Sequence, residues 1–522
     1  MEFKKRGIML DCSRDAVRTV ETVKRFADVM EKCGFNMLML YTEDTYEIDN
    51  RPYFGYMRGR YSRDELREID AYCAQKGIEL VPCIQTLAHL NGICRWSEFS
   101  DIIDIDDILL VGDDRTYELI DDMLRTVSET FSTRRVHIGM DEAGRLGMGK
   151  YLEKNGFKSK SKIMSMHLER VLKIAKKYSL EPIMWSDMLV ENNVSGSDIP
   201  DGITPVYWDY YSTDKDNYDT KINRHEKLGK PFWFAGGIWT WTGFVPHNLY
   251  SINASAAAIK SCTEHGVENV FFTMWGDNGA ETSPFAVLPA MYSISCFLNG
   301  VFDKNEISDG FCRTFGMDID SYLAADIPEI NYLDDNRDRV VDPDKYMLYC
   351  DPFIGIYDTA TDSSRSELYR NAQKRLESLQ NHSEWGYIFR TLASLCRVLS
   401  VKNDTGIRAR SAYRSRDMQE LKKVAADFDV LHEYLGEFYE SFKNQWYTEN
   451  KPFGFEIHES RIGGIMLRVK GCKDRIADFV NGKIDCISEL EEEILDVECK
   501  PNGGKRELWQ GSWVGCCVNI MN

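Results

Sequence analysis

Two adjacent carboxylates, Asp141 and Glu142, end the run Arg135-Val136-His137-Ile138-Gly139-Met140-Asp141-Glu142-Ala143. Adjacent acids are common in a chain with 83 Asp and Glu in 522 residues, so context must carry the reading. Val136 and Ile138 favour a strand, Gly139 lets another group approach the backbone, and the acids fall where the strand should stop. At the carboxyl end of a parallel strand, such a pair is placed for acid–base chemistry. The competing reading is a solvated turn, or a helix N-terminus carrying its favoured acids.

Other reactive side chains fall at similar positions. Glu43 and Asp44 follow a predicted second strand, and His89 follows a third in Gln85-Thr86-Leu87-Ala88-His89. Either could equally be a loop acid or a hydrogen-bonded structural histidine. Six of the 11 tryptophans, Trp185, Trp208, Trp233, Trp239, Trp241 and Trp275, fall within one stretch of the chain. Aromatic faces bury the C–H face of a sugar at little entropic cost, while neighbouring polar groups take its hydroxyls. Trp233 fits barrel packing better, because it precedes its strand's end. Trp185, Trp208 and Trp275 stand at predicted strand ends and suit a saccharide cage.

Several chemistries find no support. There is no Gly-x-Gly-x-x-Gly opening a helix, no P-loop and no His-Glu-x-x-His. The nine histidines show no metal-ligand spacing, so neither metal nor organic cofactor is expected. A formal charge of −19 without long blocks of one sign argues against nucleic acid or an anionic membrane as main partner. Fifteen scattered cysteines without Cys-x-x-Cys fit reduced thiols, and the absence of a signal-peptide pattern near Met1 points to the cytoplasm.

The elements that must position these groups alternate regularly. Strand-like runs are expected at 7–11, 36–42, 79–84, 135–143, 182–185, 204–208, 231–236 and 270–275. Helical spacing at 17–33, 63–76, 164–178, 249–265 and 284–297 lies between or after them. Eight such units predict an α/β fold, a (β/α)8 TIM barrel over 1–303. From 304 long amphipathic segments dominate, at 364–380, 385–401, 416–444 and 464–495, so 304–522 reads as a mainly helical C-terminal domain. The stretch 507–520 reads as a strand or hairpin.

With these elements placed, His137-Ile138-Gly139-Met140-Asp141-Glu142 resembles the His-x-Gly-Gly-Asp-Glu signature of glycoside hydrolase family 20, the β-N-acetylhexosaminidases. Met140 stands where that signature has its second glycine. Arg6 to Arg14 is similar to the family's first-strand motif, and Trp275-Gly276-Asp277 resembles its last-strand Trp-x-Glu. The resemblance covers the barrel.

The resemblance implies removal of terminal GlcNAc or GalNAc from a small saccharide, with the substrate's own acetamide as nucleophile. Glu142 would donate and later accept a proton, from an apolar surround that raises its pKa. Asp141 would stay ionised to orient the acetamide. Arg6 and Asp277 would bind the outer hydroxyls, and His89 with Glu43 or Asp44 would support the acid. Trp185, Trp208 and Trp275 would wall the sugar, with Trp239 and Trp241 where many members carry a tyrosine that touches the acetamide. The first strand begins so early that the α+β domain found before the barrel in familiar members is not expected, the pattern of a bacterial, intracellular subgroup. Rival readings are another glycoside hydrolase on the same barrel, or a non-catalytic sugar-binding barrel. A homodimer through the helical domain is also expected, from its surplus of amphipathic helix and aromatics.

Overall fold

A computed structural model describes residues 2–191, 199–330 and 343–495. Eight parallel strands close into a barrel: β1 (Lys5–Asp11), β2 (Met37–Glu43), β3 (Glu79–Ile84), β4 (Arg135–His137), β5 (Glu181–Trp185), β6 (Thr204–Trp208), β7 (Trp233–Gly237) and β8 (Asn269–Met274). Each pairs with its neighbours in sequence, and β8 closes on β1 from Lys5–Asn269 to Leu10–Met274. The expected (β/α)8 barrel is therefore present.

Helices between the strands follow from local chemistry. Thr19 caps Val20–Cys33, which stops at Gly34 in the left-handed region at φ 78°. Ser62 and Glu65 form a reciprocal capping box that starts Arg63–Gln75. Inside the barrel, Met9, Met39, Tyr41, Val81, Cys83, Ile183, Trp185, Val206, Trp233, Ala235 and Phe271 form one buried cluster. It fills the barrel as layers of inward side chains, so this is a packed core and chemistry is confined to its ends.

The strand that carries the acid pair is shorter than its β-branched residues suggest. Regular pairing ends at His137, and the chain then turns through Gly139 and Met140 at φ 70° and 73°. Those conformations leave the strand region, which is why the run to Ala143 does not continue as sheet.

The chain divides into two compact units. The first comprises 1–239, 250–276 and 290–315, and the second 240–249, 277–289 and 316–522. In the second unit the helices Arg365–Glu377, Gly386–Arg414, Met418–Glu449 and Phe455–Val480 pack successively on one another. Met418–Glu449 buries Leu421, Val424, Phe428, Leu431, Leu435, Phe438 and Phe442, a three–four alternation that keeps one face apolar for about six turns. Within this unit the loop 277–281 is held by Lys345 and Arg461 on the Asn278 carbonyl, at 3.2 and 2.7 Å, and by His458 on the Gly279 carbonyl at 2.8 Å. The expected strand at 507–520 lies outside the described residues.

Candidate active site

At the carboxyl end of the barrel, Asp141 is buried and held from two sides. Gln85 Nε2 donates to its Oδ1 at 2.8 Å, and His89 Nε2 lies 3.2 Å from its Oδ2. Burial alone would raise the Asp141 pKa, but the His89 charge and the bonds from His89 and Gln85 lower it to about 2. Burial likewise opposes a charge on His89, and the Asp141 carboxylate overrides it, raising the imidazole to about 9. The pair is thus ionised at neutral pH. His89 also stands 3.5 Å from Glu142 Oε2, so one imidazolium faces both acids.

Gln85 reaches Asp141 because Gly139 has no side chain; a Cβ there would collide with the Gln85 amide. The same amide donates to the Tyr41 hydroxyl at 3.0 Å and accepts from the Met140 N–H at 3.3 Å, which fixes its orientation. His137 is a different kind of histidine. Its Nδ1 accepts the Gly139 N–H at 3.1 Å, its ring lies 4.4 Å from Trp185, and burial pushes its pKa down to about 3. It is a neutral strut beneath the acids.

Glu142 is not enclosed. Its side chain is 60% exposed, so the expected apolar surround is not there. Its backbone sits at φ 52°, and its N–H donates to Asp187 Oδ2 at 2.9 Å. Asp187 follows β5, and the Trp208 indole N–H beside it favours its charged form. Burial, with the nearby Asp141 charge, raises its pKa to about 7.

Glu43 is carried to the mouth by a register irregularity between Tyr41 and Glu43 at the end of β2. Its Oε1 accepts from the Tyr41 hydroxyl at 3.1 Å and pairs with Arg14 Nε at 3.2 Å. Burial lifts its pKa to about 7 despite Arg14 and Arg58. Asp44 instead holds Arg58 at 2.7 Å. Neither acid hydrogen-bonds His89, whose backbone N–H is taken by Asp107 at 2.9 Å.

Several further expectations need correction. Arg6 lies at the amino end of β1, bonded to Asn299 at 3.2 Å. Five residues of strand put it about 17 Å from the mouth at roughly 3.3 Å per residue. The arginine at the mouth is Arg14, whose guanidinium lies 4.8 Å over Tyr41 and 5.0 Å over Trp275 and pairs with Asp11 at 3.1 Å. Trp185, 1% exposed, underlies the site; Trp208 and Trp275 are the partly buried rings packed upon it. Trp239 is buried, and its indole donates to the Tyr210 carbonyl at 3.1 Å, so it braces Tyr210 and presents no open face. Trp241 and Asp277 belong to the second unit, Trp241 buried and Asp277 half-buried.

Arg14, Gln85 and Asp187 were not singled out from sequence. Each carried a signal: Arg14 closes the first-strand motif, Gln85 opens the segment that ends in His89, and Asp187 stands two residues beyond a strand-end tryptophan. Among the described residues no cluster of His, Cys, Asp and Glu is arranged to hold a metal, and no helix is long and apolar enough to cross a membrane.

Comparisons with known proteins point to one family. Residues 3–225 match the family model "Glycosyl hydrolase family 20, catalytic domain", and residues 320–509 match "Glycoside Hydrolase 20C C-terminal domain". Hexosaminidase D of Bos taurus is 26% identical over 254 residues, 45% of this chain and 69% of the relative. Hexosaminidase D of Homo sapiens is 26% identical over 262 residues, 46% of this chain but only 52% of its own length. A solved structure of a GH20 exo β-N-acetylglucosaminidase from Vibrio harveyi, with N-acetylglucosamine, shares the fold at a TM-score of 0.50 and 15% identity, covering 60% of this chain and 58% of that one.

Proposed function

Because the chain belongs to glycoside hydrolase family 20, we propose that it is an exo-acting β-N-acetylhexosaminidase that releases terminal GlcNAc or GalNAc with retention. In this reading the acetamide carbonyl oxygen of the substrate attacks the anomeric carbon as the bond to the leaving oxygen breaks. The Glu142 proton passes to that oxygen. Asp141, ionised, takes the acetamide N–H, aims the carbonyl and balances the positive charge of the oxazolinium ion. Water then adds to the anomeric carbon, Glu142 takes its proton, and the acetamide is restored.

The observation that carries the reading is the asymmetry of the pair. Asp141 is buried, doubly held and driven to ionise, while Glu142, one residue on, is exposed where an aglycone can leave. That suits one group fixed against charge and another exchanging protons. Arg14 with Glu43 is the polar pair proposed for the outer hydroxyls, in place of Arg6. Trp208 and Trp275 are proposed as the ring walls. A panel of aryl GlcNAc, aryl GalNAc and aryl glucoside tests the reading; hydrolysis of the glucoside at a rate equal to that of the acetamido sugars would sink it. A thiazoline analogue of the intermediate should inhibit.

The remaining expectations stand as proposals. A cytoplasmic location fits free cysteines among the described residues. A homodimer through the second unit is checked by light scattering, where a mass near one 60.2 kDa chain rules it out.

A further inference from the structure

For Glu142 to act as a general acid its main chain must be held in place. Its side chain is mostly in solvent, and its backbone occupies the left-handed region. For a residue with a Cβ that conformation is strained and persists only where neighbours over-determine it. The neighbour that grips its main chain is Asp187, which accepts the Glu142 N–H at 2.9 Å. The indole N–H of Trp208, the only hydrogen-bond donor that side chain has, lies beside the same carboxyl and favours its charged form. Trp208 in turn packs on the buried barrel cluster and stacks on Tyr210 with ring centroids 5.3 Å apart. Asp187 itself is fixed as the first residue of Asp187–Glu191, directly after β5.

We propose that Asp187 is a positioning residue for proton transfer: its carboxyl, beside the Trp208 indole, holds the main chain of Glu142, so the acid keeps its place against the aromatic wall of the sugar pocket. The proposal rests on the hydrolase reading above. It assigns Asp187 no contact with the reacting atoms. Its effect is confined to the step in which the Glu142 proton reaches the leaving oxygen, so it should scale with how much the leaving group needs that proton.

Leaving-group dependence is therefore the readout, because general loss of structure would slow all substrates alike. Asp187→Asn and Asp187→Ala are compared with the wild type on a GlcNAc disaccharide, which leaves poorly, and on dinitrophenyl GlcNAc, which leaves without help. A misplacement of about 1 Å in a reacting group can cost about 10²-fold, so kcat on the disaccharide should fall roughly 10- to 100-fold. On the dinitrophenyl substrate kcat should fall less than about 3-fold, that substrate having little use for general acid catalysis. KM should hold for both.

The near-isosteric Asn variant keeps the test open if the Ala variant does not fold. Equal kcat losses on the two substrates would make Asp187 merely structural. A raised KM with kcat preserved would make it a substrate ligand. Unchanged kinetics would remove it from the reaction. Each of these overturns the proposal while leaving the hydrolase reading intact, whereas a wild type inert on both substrates overturns both.

Discussion

Around Asp141 several buried acids share their cations and ionise unlike one another, whereas around Glu281 in the second unit each carboxylate is closely paired. At the mouth, Glu43, Asp141 and Asp187 share a small space with Arg14, Arg58 and His89, and the acids are driven apart: Asp141 to about 2, Glu43 and Asp187 to about 7. In the second unit, Glu281 and Lys345 are 1% and 0% exposed and 2.6 Å apart, with Arg461 at 3.5 Å. Asp351 there takes Arg468 at 2.6 Å and the N–H groups of Phe353 and Ile354. A raised carboxyl does not by itself separate the two regions. Asp326, deep in the second unit, also rises to about 7, because burial outweighs bonds from Leu249 and Asn248. What separates them is divergence between neighbouring acids; left-handed backbone occurs in both, at Glu43, His89, Met140 and Glu142 and at Asn278 and Ala280. Unlike ionisation of neighbouring acids is a sign of chemistry, and mutual compensation is a sign of architecture.

Substitutions should break the two regions in opposite ways. Glu142→Gln should cut turnover of disaccharide substrates by about 10² to 10⁴, the usual worth of a placed proton. Asp141→Asn should cost about 10² to 10³, as for loss of a charge-stabilising group. Thermal midpoints should barely move in Glu142→Gln. Kinetics paired with calorimetry checks this, and a mutant that keeps wild-type rates on all substrates would remove that residue from the reaction.

Lys345→Met should act on stability. Leaving Glu281 buried without its close cation should cost about 3–5 kcal/mol, read as a lower guanidinium midpoint. An unmoved midpoint would mean the pair is no structural anchor.

The arginines sharpen the contrast within the barrel. Arg14→Lys should raise KM roughly 10- to 100-fold, the range for one lost charged hydrogen bond, while Arg6→Lys, at the far end of β1, should leave KM alone. Equal effects would mean that the mouth has been assigned to the wrong end of the strand.

The smallest effect concerns pH. His89 rises to about 9 from 6.5, so the stability it contributes is fully present below about 6.5 and is lost as pH rises through about 9. Asp141 has its contribution above about 3.8 and loses it as pH falls through about 2. The pair should therefore stay ionised across neutrality, with an alkaline fall in kcat near 9 that His89→Gln abolishes. A limb that persists in that variant belongs to another group.

The barrel was legible because its signals are periodic: apolar runs alternate with helical spacing, and capped helices end at glycine. Local conformation was not. Val136 and Ile138 made the acid strand look long, yet the chain leaves the sheet at Gly139, and Met140 adopts a backbone that its residue type does not advertise. The first-strand motif contains two arginines, and only the closed barrel decides which one reaches the mouth. Trp185 and Trp208 looked equivalent as strand-end aromatics; inward orientation sends the first into the core. Asp187 was passed over because the groups it meets, the Glu142 N–H and the Trp208 indole, come from the segment after β4 and from β6.

The shortness of β4 has one more consequence. β3 meets it through the single pair Cys83–His137, whereas β2 and β3 are paired from Met37–Glu79 to Glu43–Ile84. Side-chain bonds stand in for the missing ladder, such as Thr86 Oγ1 to the Ile138 carbonyl at 2.8 Å. A seam with so few main-chain bonds opens locally, without the rest of the barrel. Amide protons at 138–142 should therefore exchange with deuterium sooner than those of β1 or β2, and a sugar seated across the seam should slow them. Mass spectrometry of that one peptide would then report occupancy of the site without any chromogenic substrate.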